Sequence, residues 1–517
     1  MLGAPSVESG LSAAALTMVA VNTSSRATYA QVYADGAAVP ASSAINSAPN
    51  SIVTNSIIAQ VGANGKIRVR NNGPTAMDYV FDFQGTYNSL PVGPADTGLT
   101  GQRTSATTLP FPITDQTNAS VDVGTGNLLV TTSALSLPGV TSNATIGAAY
   151  NSRSKTVANS NTMDANRWQY ALASAGDLAA NAEGVVYTDA AGTAWQFTPT
   201  GAQGAFTSPA GLQQTLSRVN TSGTDYEYTL KAWTTNQVIH FNLAGQPTSV
   251  VDRNGNQTSF NTSDGYALKT LVSTAGVAGA KTAKSSYANG TQTFAQTSGQ
   301  SSRSVSWMKS TDGDITTYTD ALGKKTTFGY TSGDLTSITA PTGGVTTFTY
   351  DSSDRVTKVE QRNTSAGSAG TAVTRFVYAN DTTTQVADPR SDQSAPVATA
   401  KHTTYTIDGN HLVTKAVDPA GRERSKTYNS ANNGVATSTT GASGDSGTGT
   451  TSNEYGQNSS QSLTKSTTGS GSSSTAEYGS GSATAYLPSK VTDSSKNTTT
   501  IGYDGVGNQT WDCCRFG

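Results

Sequence analysis

The sequence predicts an all-β protein in which a small N-terminal β-sandwich-like domain is followed by a long antiparallel strip of β-hairpins. Three observations carry this expectation. Tyr330, Tyr350, Tyr378, Tyr405, Tyr428, Tyr455, Tyr478 and Tyr503 recur every 20 to 28 residues, and a fixed period of this length is the signature of one supersecondary unit repeated along a chain. Only 13% of the 517 residues are charged and 35% are hydrophobic, while glycine, serine and threonine abound, which suits turns and the wet faces of strands better than helices. No stretch shows apolar residues at helical spacing.

Residues 1–90 hold short β-like runs, Ala15–Val21, Tyr29–Tyr33, Ser56–Val61, Lys66–Arg70 and Asp78–Phe83, separated by turn signals such as Ala34-Asp-Gly36 and Ala63-Asn-Gly65. Strands at this spacing predict a small sandwich. Residues 91–115, with Pro91, Pro94, Pro110 and Pro112 among small polar residues, read as an extended linker. A further β region is expected over 116–275 and the repeats proper over 276–512, leaving 513–517 as a tail.

Within the repeats, Gly323-Lys-Lys-Thr326-Thr-Phe328-Gly-Tyr330 aligns with Gly343-Gly-Val-Thr346-Thr-Phe348-Thr-Tyr350, every landmark displaced by 20. A turn signal, Asp320–Gly323 or Pro341–Gly343, precedes a strand of alternating threonine and aromatic residues. A second turn leads to a shorter run, Leu335–Ile338 or Val356–Val359, which reads as the return strand. Each unit is one hairpin, and because an isolated hairpin is marginal in water the units must pair edge to edge and bury one face jointly. Cutting the strip near residue 440 is expected to expose a sheet edge and promote aggregation. Residues 438–485 are rich in serine and glycine, the composition of a flexible linker. Tyr455 and Tyr478 keep the tyrosine spacing there, which favours degenerate hairpins with long polar turns.

The N-terminal block resembles β-domains of exported actinobacterial proteins, through Gln31-Val-Tyr-Ala-Asp-Gly36, Val61-Gly-Ala-Asn-Gly-Lys66 and Phe81-Asp-Phe-Gln-Gly-Thr-Tyr87. From Val121-Asp-Val-Gly-Thr-Gly-Asn-Leu-Leu-Val130 through Leu135-Ser-Leu-Pro-Gly139 to Ala149-Tyr-Asn-Ser-Arg153, the chain resembles the opening of an Rhs protein, the YD-repeat family. The repeats carry the same resemblance. Tyr350-Asp351 and Tyr503-Asp504 are literal YD pairs, Asp252-Arg-Asn-Gly255-Asn256 is the preceding turn, and Gly255, Gly323 and Gly343 join the tyrosines as the repeat signature. Tyr330 is followed by threonine, Tyr378 by alanine and Tyr455 and Tyr478 by glycine, so the repeat is degenerate.

No catalytic, cofactor or metal constellation emerges. Gly444-Asp-Ser-Gly447 is similar to a serine-protease nucleophile segment but lies in the Ser/Gly tract; His240, His402 and His411 lack metal-ligand spacing, although the last two could approach across a hairpin. Asp252–Asn256 lacks the alternating ligands and closing glutamate of a calcium loop. Trp168, Trp195, Trp233 and Trp307 could stack on sugars but suit a core better. Cys513 and Cys514 are the sole cysteines, adjacent and poorly placed to bridge each other. A net charge of −2 gives no basic footprint for nucleic acid, and no run approaches the roughly 20 apolar residues of a membrane span. Met1–Ser9 lacks the basic and apolar regions of a secretory signal.

Two functions are compatible with these features. The Rhs resemblance implies a non-catalytic shell, in which the strip winds around a C-terminal toxin or enzymatic segment of a secreted or surface-displayed protein. Export would then use another route or a signal upstream of a truncated start. The family's closing Asp-Pro-x-Gly motif is not found, so the implied chain is a partial shell whose partner is a missing C-terminal shell or effector segment, or a second chain. The alternative is a cell-surface adhesin or carbohydrate-binding repeat protein that displays these domains to cell-surface glycans.

Overall fold

The computed structural model describes residues 11–62, 66–88, 98–139, 143–154, 167–172, 175–181, 183–201, 204–218, 228–242, 245–261, 270–273, 281–296, 302–363, 370–441, 449–456 and 462–515. All of its regular elements are strands, and no helix long and apolar enough to cross a membrane occurs among the described residues. The chain divides into two compact units, residues 1–93 with 180–182 and residues 94–179 with 183–517.

The first unit is a sandwich of two three-stranded antiparallel sheets. Leu11–Asn22 lies between Ser51–Gln60 and Asp78–Asn88 in one, and Thr28–Ala34 between Ile45–Ser47 and Ile67–Asn71 in the other. Leu16, Met18 and Ala20 alternate inward against Ala30 and Ile45, the period-2 burial that one covered sheet face requires. Each expected strand is present; Ile45–Ser47 is additional, three residues that carry no periodicity to read.

The second unit contains two smaller sheets and one very long one. Thr108–Pro112, Thr117–Asp122, Leu128–Leu137, Ala144–Asn151 and Trp168–Leu172 form a five-stranded sheet in sequence order, and Asp177–Asn181 through Phe206–Thr207 a four-stranded one. The expected linker over 91–115 is corrected here, since from Gly98 onward the chain is built into the unit. Pro110 and Pro112 lie on the edge strand of the five-stranded sheet, where a missing N–H faces no partner. Prolines that read as linker are edge-strand prolines.

From Gln214 to Arg515, 26 strands form a single antiparallel sheet, each bonded to its neighbours in sequence. The Ser/Gly tract is part of it, through Val435–Thr440, Gly449–Tyr455, Leu463–Thr467 and Ser473–Tyr478. Many hairpins close through three-residue loops whose last residue is left-handed. In the loop after Asp320, its carboxylate accepts from the N–H groups of Leu322 and Lys324, both at 2.8 Å, and Gly323 has φ +77°; Gly255 and Gly343 hold the same place at +82° and +86°. A Cβ on Gly323 would meet nothing within 4 Å, so Gly323→Ala isolates the backbone term. It is expected to cost about 1–2 kcal/mol in urea unfolding, and a change within ~0.5 kcal/mol, the range of ordinary surface substitutions, would refute the turn assignment.

The sheet curls. Its register slips by one residue at Gly329/Tyr330, Thr349/Tyr350, Thr427/Tyr428, Glu454/Tyr455, Glu477/Tyr478 and Gly502/Tyr503, and a bulge bends its strand and increases local twist. Repeated at the same end of successive hairpins, these bends accumulate until the strip's two ends meet. Asn236 donates to the Ala483 carbonyl at 2.7 Å, Arg253 to the Gly507 carbonyl, and Trp233 stacks on Tyr486 with ring centroids 4.7 Å apart.

One core cluster runs from Phe111 to Val386 and joins the five-stranded sheet to the first part of the strip. Phe111, Val121, Leu128, Ile146 and Trp168 face Leu216, Phe241, Phe294, Trp307, Phe328, Leu335 and Phe348, all under 8% exposed. Along this arc the interior of the strip is occupied by the protein's own five-stranded sheet. The arc's inner face is apolar and covered by the N-terminal sheet.

Candidate functional site

The repeat signature acquires a physical meaning in the curled strip. Each bulge tyrosine reaches past its own hairpin and donates its hydroxyl to a carbonyl of the preceding one: Tyr330 to Ile315 at 2.7 Å, Tyr350 to Leu335 at 2.6 Å, Tyr378 to Val356 at 2.7 Å, Tyr428 to Val413 at 2.7 Å, Tyr455 to Val435 at 3.0 Å, Tyr478 to Leu463 at 2.8 Å and Tyr503 to Pro488 at 2.8 Å. Leu335 is the register partner of Tyr330 and Val356 that of Tyr350. Tyr350, Tyr378, Tyr455, Tyr478 and Tyr503 thus grip the residue opposite the previous tyrosine, which ties hairpin to hairpin along the strip. Burial raises the pKa of all seven phenols, to about 12 for Tyr428, so they remain protonated donors.

Tyr405 is not a rung. The bulge in its strand falls at Thr406/Ile407, with Ile407 opposite Val413, so Ile407 occupies the rung and Tyr405 the inner position held upstream by Phe328 and Phe348. Tyrosine spacing alone misplaces the phase here because two aromatic positions lie two residues apart on the same strand.

The aspartate of each YD pair clamps the following turn. Asp351 accepts from the N–H groups of Ser353 at 2.9 Å and Arg355 at 3.1 Å, and from the Arg355 guanidinium at 2.7 Å. Asp504 accepts from Val506 and Asn508 in the same way. Burial alone would raise the Asp351 carboxyl, but the hydrogen bonds from Arg355 and Ser353 outweigh it and hold the pKa below the usual 3.8. At Asp504 the Asn508 side chain and backbone N–H lower it, as Asn497 does at Asp493. A folded-state pKa below the unfolded one stabilises the fold above the unfolded value, and that contribution disappears as pH falls through the folded value. The urea midpoint is therefore expected to fall between pH 5 and pH 3, and the drop to shrink in an Asp351→Asn variant. An equal drop in the two proteins would overturn this assignment.

The Rhs-like opening phrase forms the plug that seats the five-stranded sheet in the strip. Asp122 accepts from Gly124 at 2.8 Å in a tight turn, and the Gly126 carbonyl of that turn accepts from the N–H of Val356 at 2.9 Å. A Cβ at Gly126 would sit 2.6 Å from the Arg355 Cβ and 2.7 Å from the Tyr378 hydroxyl, so a glycine is needed for this close approach. Arg103 bonds Asp122 at 2.7 Å and the carbonyls of Asn410 and His411 at 2.9 and 3.2 Å. Arg167 pairs with Asp334 and, at 3.3 Å, with Asp354. The Trp168 indole donates to the Tyr330 hydroxyl at 2.8 Å, and the Tyr150 hydroxyl accepts from the Leu335 N–H at 3.1 Å. Arg103 and Arg167 went unread in the sequence because Asn410, His411, Asp334 and Asp354 lie far along the chain.

The inner face changes character along the strip. Phe328 and Phe348 are succeeded at the equivalent inner positions by Lys426, Asn453 and Ala476, and Ile338 and Val359 by Ala416, Ser438 and Ser466, before Val491 and Ile501 bring apolar residues back in the last repeat. Tyr330, Tyr350, Tyr378 and Tyr405 rest on the main core; the later tyrosines do not. Loss of the hydroxyl in Tyr350→Phe strands the Leu335 carbonyl in the core and is expected to cost about 1–3 kcal/mol. Water reaches the Leu463 carbonyl in Tyr478→Phe, which should cost under ~0.5 kcal/mol. Equal costs in chemical unfolding would contradict the gradient.

The other sequence candidates resolve into structural roles. Asp252–Asn256 is an aspartate-clamped turn with Asn254 and Asn256 donating to Asp252 at 2.8 and 2.9 Å. Trp168, Trp233 and Trp307 are buried and Trp195 packs against the main core. His402 lies 2.8 Å from the Ala400 carbonyl, His411 holds a left-handed turn position and His240 is half-buried in its strand. Among the described residues no three His, Cys, Asp or Glu side chains are grouped to hold a metal ion. Cys513 is free and exposed. Gly444–Gly447 lies outside the described residues.

These features define a class, a hairpin-repeat scaffold whose bulge tyrosines and clamped turns bind successive units into one curled sheet. The family model of the RHS repeat matches residues 331–366, which include Tyr350 and Asp351. The chain therefore carries an RHS repeat within its hairpin strip. No curated protein sequence matches it significantly. Among solved structures it is similar to the TcdB2–TccC3 complex, at 10% identity over 74% of this chain and 23% of that one with a TM-score of 0.31. It is also similar to the Tc holotoxin pore of Photorhabdus luminescens, at 10% identity over 75% of this chain and 22% of that one with a TM-score of 0.32. The chain thus spans less than a quarter of the length of either.

Proposed function

We propose that the chain is the non-catalytic scaffold of an exported Rhs-type toxin, whose strip encloses or presents a polypeptide segment supplied by further chain or by a second protein. The observation that carries this reading is the change in the inner face. Its first arc is filled by the protein's own five-stranded sheet, and its second, from Arg424 to Ser474, is lined mainly by polar side chains such as Lys426, Ser438, Asn453 and Ser466, with no such filler among the described residues. An inward face that is polar and unfilled is suited to line an occupied interior without adhering to it. The RHS repeat matched over residues 331–366 supports this reading.

The experiment is protease protection. An unstructured reporter carrying one specific protease site is appended after Gly517 or, separately, before Met1. Cleavage slower by roughly tenfold or more at the C-terminal position supports the reading. Equal rates at both ends would overturn it.

A further inference from the structure

The transition on the inner face is marked by two cations. Tyr405, Ala416, Arg424 and Thr440 are successive register partners across four strands, and directly opposed residues of antiparallel strands share a face. Tyr405 rests on the main core, so Arg424 is on the inward face, and Lys426, two residues on, shares it. Upstream the equivalent pair is Thr346 and Phe348. Here the strip replaces a threonine and a phenylalanine with an arginine and a lysine.

Arg424 and Lys426 line a cavity of about 910 Å³ together with Tyr405, Val413, Ala416 and Thr440. Asp418 and Glu423 also line the cavity, and each is already paired. Asp418 is held by Arg422 at 2.6 Å and Glu423 by Lys415 at 2.8 Å. Among the described residues neither Arg424 nor Lys426 has an ion-pair partner. Two like charges side by side on one strand face repel, and an anion set between them turns that repulsion into attraction.

We propose that this cavity binds an acidic polypeptide segment, with its carboxylates between Arg424 and Lys426 and its apolar side chains on Tyr405, Val413 and Ala416. The cavity lies near the upper end of the roughly 300–1,000 Å³ range of ligand sites, far more than one oxyanion fills. Its apolar half would have nothing to contact in a bare phosphate. The Thr440 hydroxyl adds a neutral donor on the same row. This inference rests on the reading of the inner face as an enclosing surface.

The test uses the full chain and a fluorescein-labelled peptide alternating glutamate and leucine, followed by anisotropy. Saturable binding is expected, weakened about tenfold or more in an Arg424→Gln, Lys426→Gln variant whose thermal midpoint is unchanged, and similarly weakened for the glutamine–leucine peptide. It should also weaken as salt rises from roughly 0.05 to 0.5 M, because screening at these concentrations shortens the reach of exposed charges. An Arg424→Glu, Lys426→Glu variant should instead take up a lysine–leucine peptide, which guards against a variant that merely misfolds. Undiminished binding by the glutamine variant, or equal binding of the glutamine–leucine peptide, would overturn the proposal. So would displacement of the peptide by equimolar inorganic phosphate, which would make the site one for a free oxyanion. None of these readouts depends on protease protection of a reporter, so failure here leaves the scaffold reading standing and the two failures are distinguishable.

Discussion

A chain lacking residues 98–172 is expected to be insoluble, or soluble only as a dye-binding aggregate. The five-stranded sheet within that stretch covers the apolar arc of the strip, where Leu216, Phe241, Phe294, Trp307, Phe328, Leu335 and Phe348 are all under 8% exposed. Each such side chain contributes about 1.5–3 kcal/mol by leaving water, and the four-stranded sheet, which adds Leu178, Val185, Tyr187 and Phe197 to the same cluster, would remain as the arc's other cover. The part left uncovered would be a contiguous apolar sheet face far larger than soluble monomers display. Sedimentation and binding of an apolar fluorophore check the outcome. A monomeric deletion variant that leaves the dye dark and still unfolds cooperatively would show that the strip folds independently of its filler.

The second large effect is expected at one side chain of that filler. Trp168 is 1% exposed, lies edge-on to Phe328 with ring centroids 5.4 Å apart, and donates to the Tyr330 hydroxyl, which itself donates to Ile315 at 2.7 Å. Trp168→Ala removes the largest volume in the sheet-to-strip contact and is expected to cost about 3–5 kcal/mol. Tyr330→Phe alone should cost less, since the aromatic body stays. Because both residues share one hydrogen-bond chain, the double variant should fall short of the sum by roughly 0.5–3 kcal/mol. A Trp168→Ala cost below ~1 kcal/mol in guanidinium unfolding would mean that the sheet and the strip do not form one cooperative core.

The closure of the strip makes a further distinction. Its ends meet through Asn236, Arg253, Trp233 and Tyr486, yet their strands are not hydrogen-bonded neighbours. The expectation that a cut near residue 440 exposes an edge therefore gains a second cause. Such a cut would also remove Ala483, Tyr486 and Gly507, the partners that cover Trp233 and engage Arg253.

Much of the repeat was legible because its determinants are local. Asp320 and Gly323 make their turn within five residues, and the alternation of Thr326 and Phe328 against Lys325 and Thr327 assigns a strand face without reference to anything distant. Even the serine-rich strands Leu463–Thr467 and Ser473–Tyr478 follow from phase, because the pairing of a strip depends on backbone groups more than on side-chain composition. Where two signals compete within one strand, locality fails. Tyr405 and Ile407 both fit an inward position, and the bulge, which depends on the strand opposite, decides between them.

By itself the sequence determined the period of the hairpins, the turns that separate them and the identity of the tyrosines and aspartates that recur. Those choices are made by interactions within one repeat. Tertiary structure alone decided which arc of the strip is filled and which is lined with polar groups, what each tyrosine hydroxyl grips, and why the opening phrase around Asp122 carries Gly126. The reason is distance along the chain. Trp168 finds Tyr330 across 162 residues and Arg103 finds His411 across 308, and no pattern within a window of one repeat encodes which carbonyl, 300 residues on, a guanidinium will meet when the strip has curled.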